Sequence, residues 1–226
     1  MQFKANNIFD FFLPRFCPGC NKKLSLNEKP VCSECLNSIL IADEERLKNE
    51  YKKDFSSTKI IKEFYSGYVF ETDKTLRHII HALKYGKQFK IGTFLGEIIA
   101  GGIKTKNWHI DLIIPVPIHH LKKAERGYNQ SDFIVRGLSK SLKVPYSTRT
   151  IKRIRFTESQ TLLNIEERAK NVANAFKLRT AKKIKGKNIL LVDDVITTGA
   201  TILECGKAFI GAGAKSVYAC SVGITE

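Results

Sequence analysis

Apolar stretches long enough to cross a membrane are missing from this 226-residue chain; none approaches the ~20 residues that a span requires. The segment from Met1 to Phe16 is rich in aromatics but is broken by Asp10 and Arg15 and lacks a small-residue cleavage site. No secretory signal is therefore expected, and the protein is expected in the cytoplasm. Internal repeats and low-complexity segments are also absent, which sets aside repeat architectures and disordered tracts. Carboxylates are scarce beside cations, 22 against 38, leaving a formal charge of +16. Such an excess attracts polyanions: nucleic acid, phosphorylated metabolites or anionic lipid. The lysines are spread along the chain rather than gathered in one block, a distribution that equally suits plain solubility. What is present is a 43% apolar share in a length suited to one medium domain and a small module.

Four of the six cysteines stand in Cys17-Pro18-Gly19-Cys20 and Cys32-Ser33-Glu34-Cys35. Each C-x-x-C knuckle presents two thiolates to one metal, and two knuckles complete the tetrahedral S4 site that zinc takes. Two disulfides are the first alternative, disfavoured in a reducing compartment. A redox-active dithiol is the second, and it needs only one knuckle. Four protein ligands leave no open coordination position, so the zinc is expected to be structural and to supply the folding energy of a segment too short for its own core. Cys205 and Cys220 stand alone in apolar surroundings and read as core residues. The chain thus divides into a zinc-binding module over residues 1–40, a charged helix and linker over 41–63, and an α/β body over 64–226.

Strand and helix periods alternate in the body. Phe64 to Phe70 reads as a strand, and Lys74 to Tyr85 as a helix with Leu76, Ile79, Ile80 and Leu83 at helical spacing. Phe89 to Ile103 reads as a helix, Asp111 to Val116 as a short strand and Gln130 to Leu142 as a helix. Asn188 to Val192, Ala200 to Ile210 and Lys215 to Ser221 then read as strand, helix and strand. This order predicts a mostly parallel sheet with helices on both faces and ligands at the carboxyl ends of its strands. Gly211-Ala212-Gly213, between helix and strand, reads as a C-cap and turn.

The most informative segment is Leu190-Leu191-Val192-Asp193-Asp194-Val195-Ile196-Thr197-Thr198-Gly199-Ala200-Thr201. An apolar strand runs into two carboxylates, a Thr/Gly loop and a helix start. Thr197, Thr198 and Thr201 offer hydroxyls, Gly199 lets backbone N–H groups converge, and the helix from Ala200 adds its positive end. Asp193 and Asp194 suit vicinal ribose hydroxyls, whereas the loop suits a phosphate. An ordinary strand–turn–helix with solvated acids is the alternative reading. The segment closely resembles the phosphoribosyl-diphosphate (PRPP) motif of type I phosphoribosyltransferases, with every position filled.

Further blocks narrow the resemblance. Pro115-Val116-Pro117, His119, Arg126-Gly127-Tyr128-Asn129-Gln130, then Arg153, Thr157, Ser159-Gln160-Thr161, Arg168, Asn171-Val172 and Phe176 follow the pattern of the ComF family, as does Lys84-Tyr85. With the four cysteines, the resemblance covers nearly the whole chain. It implies a type I phosphoribosyltransferase fold behind an N-terminal zinc module, and handling of single-stranded DNA during natural transformation. It further implies that Asp193 and Asp194 form the catalytic pair. Thr197, Thr198, Gly199, Ala200, Thr201, Pro117, Ile118 and His119 would contact PRPP, and Mg²⁺ would accompany it. Two histidines at 119 and 120, with Lys122 and Lys123 beyond, depart from the family pattern. His119 suits pyrophosphate or a solvated loop about equally.

Arg126, Tyr128, Asn129 and Gln130 suit a phosphate with a stacked base, but also an ordinary helix start with Asn129 as cap and Tyr128 as staple. Lys152, Arg153 and Arg155 precede Phe156, again basic beside aromatic, where phosphoribosyltransferases carry a loop that closes over the site. Arg126, Tyr128, Lys152, Arg153 and Arg155 are the expected path for single-stranded DNA. Two functions follow: a sugar-phosphate and DNA-binding protein of DNA uptake, or an active phosphoribosyltransferase with a nucleobase or amine acceptor. No acceptor hood is evident, since the cysteine module takes its place. A scaffold that joins helicase-type partners to the uptake machinery is a third reading.

Overall fold

The alternating periods become, in a computed structural model, a parallel sheet between two helical layers; residues 14–25, 27–71, 74–156 and 172–225 are described. Thr157, Ser159, Gln160, Thr161, Arg168 and Asn171 of the family blocks lie outside the described residues. The described residues open on a two-stranded antiparallel ladder, β1 (Arg15–Phe16) and β2 (Lys23–Leu24), followed by α1 (Ser33–Ser38) and α2 (Glu44–Asp54). The body then runs β3 (Glu63–Phe70), α3 (Thr75–Tyr85), α4 (Phe89–Lys104), β4 (Leu112–Pro115), α5 (His120–Arg126), α6 (Gln130–Leu142) and β5 (Ile151–Arg153). It closes with β6 (Phe176–Leu178), β7 (Asn188–Ile196), α7 (Ala200–Gly211) and β8 (Ser216–Thr225).

The main sheet has the order β3-β8-β7-β4 with every neighbouring pair parallel. Its strands are apolar almost throughout because both faces are covered. Along them the side chains alternate between two cores. Ile113, Leu190, Val192, Tyr218 and Cys220 pack with α3, α4 and α6. Leu112, Ile114, Ile189, Leu191, Val217 and Ala219 pack with Ile202, Cys205 and Phe209 of α7. Cys205 and Cys220 are both fully buried, and burial raises both thiols above their ordinary pKa. Helices α4 and α6 approach at backbone distance: a Cβ on Gly137 would lie 2.0 Å from the Thr93 carbonyl oxygen, so only glycine fits there.

The charged segment at 41–63 does more than link. Asp43 caps α2 by accepting the Arg46 N–H at 2.8 Å, which starts the helix. Leu47, Phe55 and Ile61 of this segment are buried in the core under α7. Its many charges obscure these anchors in the sequence, since a few apolar residues suffice to fix a helix whose other face is solvated. Residues 40–42 also cover the β3 edge, where Val69 N–H donates to Leu40 and Ala42 N–H to Gly67. The cysteine knuckles dock beside them: Cys17, Leu24, Val31, Cys32, Cys35 and Ile39 share a core with Leu76 and Ile79 of α3. A Ser38–Thr75 hydroxyl hydrogen bond of 3.2 Å ties α1 to the start of α3. Strands β5 and β6 pair antiparallel as a separate two-stranded arm.

Candidate functional site

Strand β7 runs four residues beyond the expected end at Val192, through Asp193 and Asp194 to Ile196. It can do so because β8 is also longer than expected and supplies partners as far as Ile224, with Asp193 opposite Ser221 and Val195 opposite Gly223. Beyond Ile196 the chain turns into α7 through Gly199, whose φ of +64° a side chain would strain. A Cβ there would also lie 2.7 Å from Phe55, so α2's buried aromatic end supports the loop from below. No side chain caps α7, which leaves the first-turn N–H groups available to an anion.

In front of this loop is a cavity of about 210 Å³. The loop residues Thr197, Thr198, Gly199, Ala200 and Thr201 form one wall, and Pro117 and Ile118, at the end of β4, form the other. Lys122, Arg126, Gln130, Arg153 and Asp193 complete it. Three cations, a capless helix N-terminus and a carboxylate thus face one small space. That combination has complementary chemistry for a phosphorylated polyol: amides and cations for phosphates, an acid for hydroxyls.

The two acids are not equivalent. Asp193 lines the cavity and accepts hydrogen bonds from Asp194 N–H at 2.9 Å and Ser131 Oγ at 3.2 Å. Asp194 is 4% exposed and forms an ion pair with Lys84 Nζ at 2.7 Å. Burial opposes the ionisation of Asp194, but Lys84 and the Val195 N–H outweigh it and hold the carboxyl below its ordinary pKa. Burial, then the adjacent Asp194 charge, push Asp193 well above the carboxylate range. Lys84 entered the sequence reading only as part of a family block; its charge pairing spans the fold and has no local signature.

Arg126 is held toward the cavity by hydrogen bonds to Gln130 Oε1 at 3.2 Å and to the Tyr85 hydroxyl at 3.0 Å. Its guanidinium also lies over the Tyr85 ring, 4.9 Å from the centroid. Lys122, half-buried one turn earlier, is a cavity residue that the motif reading did not assign; burial and then Arg153 and Arg126 lower its pKa.

Two expectations need correction. His119 does not line the cavity: it is 4% exposed, and its Nδ1 accepts the Leu121 N–H at 3.4 Å as the cap of α5. The seven-residue helix starts at that point and its first turn needs an acceptor. Tyr128 is 8% exposed, its hydroxyl donates to the Leu83 carbonyl, and its ring packs edge-on against Phe89 at 4.7 Å. It cannot stack on a base. Asn129 caps α6 by accepting the Ser131 N–H, so the helix-start reading holds for both residues. Lys152 is exposed and lies outside the first cavity, and Arg155 is exposed and lines neither that cavity nor its neighbour. Phe156 is the exposed aromatic of this region, 44% accessible and edge-on to His119.

The ligand atoms of Cys17, Cys20, Cys32 and Cys35 all lie within 4.8 Å of one another, and all four cysteines are free of disulfides. A Zn–S bond of about 2.3 Å places tetrahedral sulfurs roughly 3.8 Å apart. The Cys20–Cys32 sulfur separation is 3.8 Å. Backbone N–H groups point at the cluster, Cys32 to Cys17 Sγ at 3.4 Å and Cys35 to Cys32 Sγ at 3.5 Å. Burial raises the Cys17 thiol, but N–H groups of Cys32, Gly19 and Cys20 outweigh it and bring it down to about 7. The cluster fits a single metal ion held by four thiolates. Among the described residues no helix is long and apolar enough to cross a membrane.

Residues 90–223 match the phosphoribosyl transferase domain. Competence protein F of Haemophilus influenzae is 31% identical over 207 residues, which cover 89% of this chain and 86% of that protein. Competence protein ComFC of Streptococcus pneumoniae is 28% identical, covering 89% of this chain and 77% of the relative. DNA utilization protein YhgH of Escherichia coli K12 is 31% identical over 147 residues, 63% of this chain and 64% of the relative. A Thr/Gly loop at the end of a parallel strand, a cysteine cluster at the front and these relatives lead to one assignment: the chain belongs to the phosphoribosyl transferase domain family, in its ComF group.

Proposed function

We propose that this protein binds PRPP or a related sugar phosphate in the 210 Å³ cavity and handles single-stranded DNA in the cytoplasm during DNA uptake. The observation that carries the reading is the convergence on one cavity of the uncapped α7 N-terminus, Asp193 and the cations Lys122, Arg126 and Arg153. The 5′-phosphate would take the 197–201 loop, the ribose hydroxyls Asp193, and the pyrophosphate the cations near Pro117 and Ile118. Mg²⁺ would arrive with PRPP, held chiefly by substrate oxygens and water, so few protein ligands are needed. Competence and DNA-utilization relatives support the link to DNA. So does the +16 charge. Helicase-type proteins of the uptake machinery are the partners this role implies. Zinc on Cys17, Cys20, Cys32 and Cys35 would act structurally, fixing the knuckles against α3.

A second reading, transfer of the phosphoribosyl group to a nucleobase or amine, is favoured by one feature: three cations stand where a departing pyrophosphate would develop charge. Incubation with PRPP and Mg²⁺, with and without single-stranded DNA or free nucleobases, separates the two. Binding without consumption of PRPP is expected; steady release of pyrophosphate with an added acceptor would establish the enzyme.

A further inference from the structure

Beside the sugar-phosphate cavity lies a second, larger one of about 540 Å³. We propose that it binds the phosphodiester backbone of a DNA single strand, an inference that rests on the DNA-handling reading above and locates the strand. Five fixed cations line it: Lys123 from α5, Arg149, Lys152 and Arg153 around β5, and Arg179 just after β6. Asp132 is the one carboxylate among its lining residues. That acid is already engaged by Asn129 Nδ2 at 3.2 Å. Among the described residues, Lys123, Arg149, Lys152 and Arg179 make no ion pair.

Cations brought together from three separate elements repel one another, and a bound polyanion relieves that repulsion. A single small phosphate would engage one or two of them. Five spread around one concavity suit several phosphates at the regular spacing of a strand. Ile118 and Ile154, beside the cations, add apolar contact for bases, which a single strand leaves free to stack and a duplex keeps paired. Pro117, Ile118 and Arg153 line both cavities, so the strand would run directly beside the bound sugar phosphate.

The test is binding of a fluorescent oligo-dT to the full chain at several salt concentrations, with Arg149→Ala and Arg179→Ala compared with Lys52→Ala on α2. Arg149 and Arg179 are exposed, so folding is expected to survive, and the melting temperature of each variant without ligand checks it independently. Each cavity variant should weaken binding several-fold and flatten the slope of log affinity against log salt by about 0.7, the value for one phosphate contact on a single strand. Lys52→Ala should change neither. If the wild type binds the oligonucleotide and both cavity variants match it in affinity and slope, the assignment is overturned while the DNA reading stands. If the wild type binds no oligonucleotide, both fall.

Discussion

Lys84 Nζ lies 2.7 Å from Asp194 Oδ2, so the last turn of α3 neutralises the second acid of β7. The neighbouring residues of the same turn serve the same region: the Leu83 carbonyl accepts the Tyr128 hydroxyl, and the Tyr85 hydroxyl accepts from Arg126. The opposite end of α3 carries the cysteine knuckles through Thr75. One helix therefore joins the cysteine cluster to the acid end of the cavity.

Removing the Lys84 charge should be costly because it strands a buried carboxylate. Lys84→Met is expected to lower unfolding free energy by about 3 kcal/mol, the low end of the range for breaking a buried pair, since the lysine side chain keeps 25% exposure. Urea denaturation at neutral pH reads this directly. The depressed Asp194 pKa contributes stability that is present above the unfolded-state carboxylate value and is lost as pH falls through the folded value. That acid-side loss should shrink in Lys84→Met. A variant as stable as the wild type across the range would show that the pair carries no energy.

At Gly199, two independent constraints meet: φ of +64° and a Cβ position 2.7 Å from Phe55. Gly199→Ala should cost about 1–2 kcal/mol from backbone strain alone, before any clash is counted, and should remove the response to PRPP. Thermal unfolding with and without PRPP–Mg²⁺ checks both effects. Full retention of the ligand response would show that the loop does not need this geometry.

The cysteine cluster predicts about one equivalent of zinc in protein purified without added metal. Cys17→Ser or Cys32→Ser should lose the metal and make the module protease-sensitive, and a strong chelator should do the same to the wild type. The knuckles share a core with Leu76 and Ile79, so metal loss should also lower the melting temperature of the body. Metal-free protein containing disulfides under reducing purification would contradict the assignment.

For DNA contacts, Phe156 replaces Tyr128 as the aromatic to test. Phe156→Ala should weaken single-strand binding by about 1–3 kcal/mol with little change in salt slope, as loss of a stacked base would. Tyr128→Ala should instead reduce stability, because it empties a buried site against Phe89 and Phe133. Oligonucleotide titrations paired with denaturation curves distinguish them. Unchanged affinity in Phe156→Ala would leave binding to phosphate contacts alone.

Local signals in the chain carried most of the fold. Helix α6 runs from Gln130 to Leu142, as its apolar spacing indicates, and the T-T-G-A-T loop sits at the carboxyl end of β7 as its composition requires. What stayed hidden depends on residues far apart in sequence. Asp194 and Lys84 are 110 positions apart, and nothing beside either predicts the pairing. Phe55 gives no sign, within its lysine-rich segment, that it will lie beneath Gly199. At Tyr128 the residue type fitted a stacked base as well as a helix start, and the tertiary neighbours Leu83 and Phe89 made the choice; at His119 it fitted pyrophosphate or a solvated loop, and neither foresaw the cap of α5.

In the function proposed above, a phosphorylated ribose occupies the cavity with its hydroxyls on Asp193. The most direct measurement is the melting temperature of wild type and Asp193→Asn against rising PRPP–Mg²⁺. A ligand that binds only the folded state adds about 2.7 kcal/mol at 100 times its Kd, so the wild type should show a clear, concentration-dependent rise. Asp193→Asn should fold and show little or none. Equal rises in both proteins, or none in the wild type, would contradict the account.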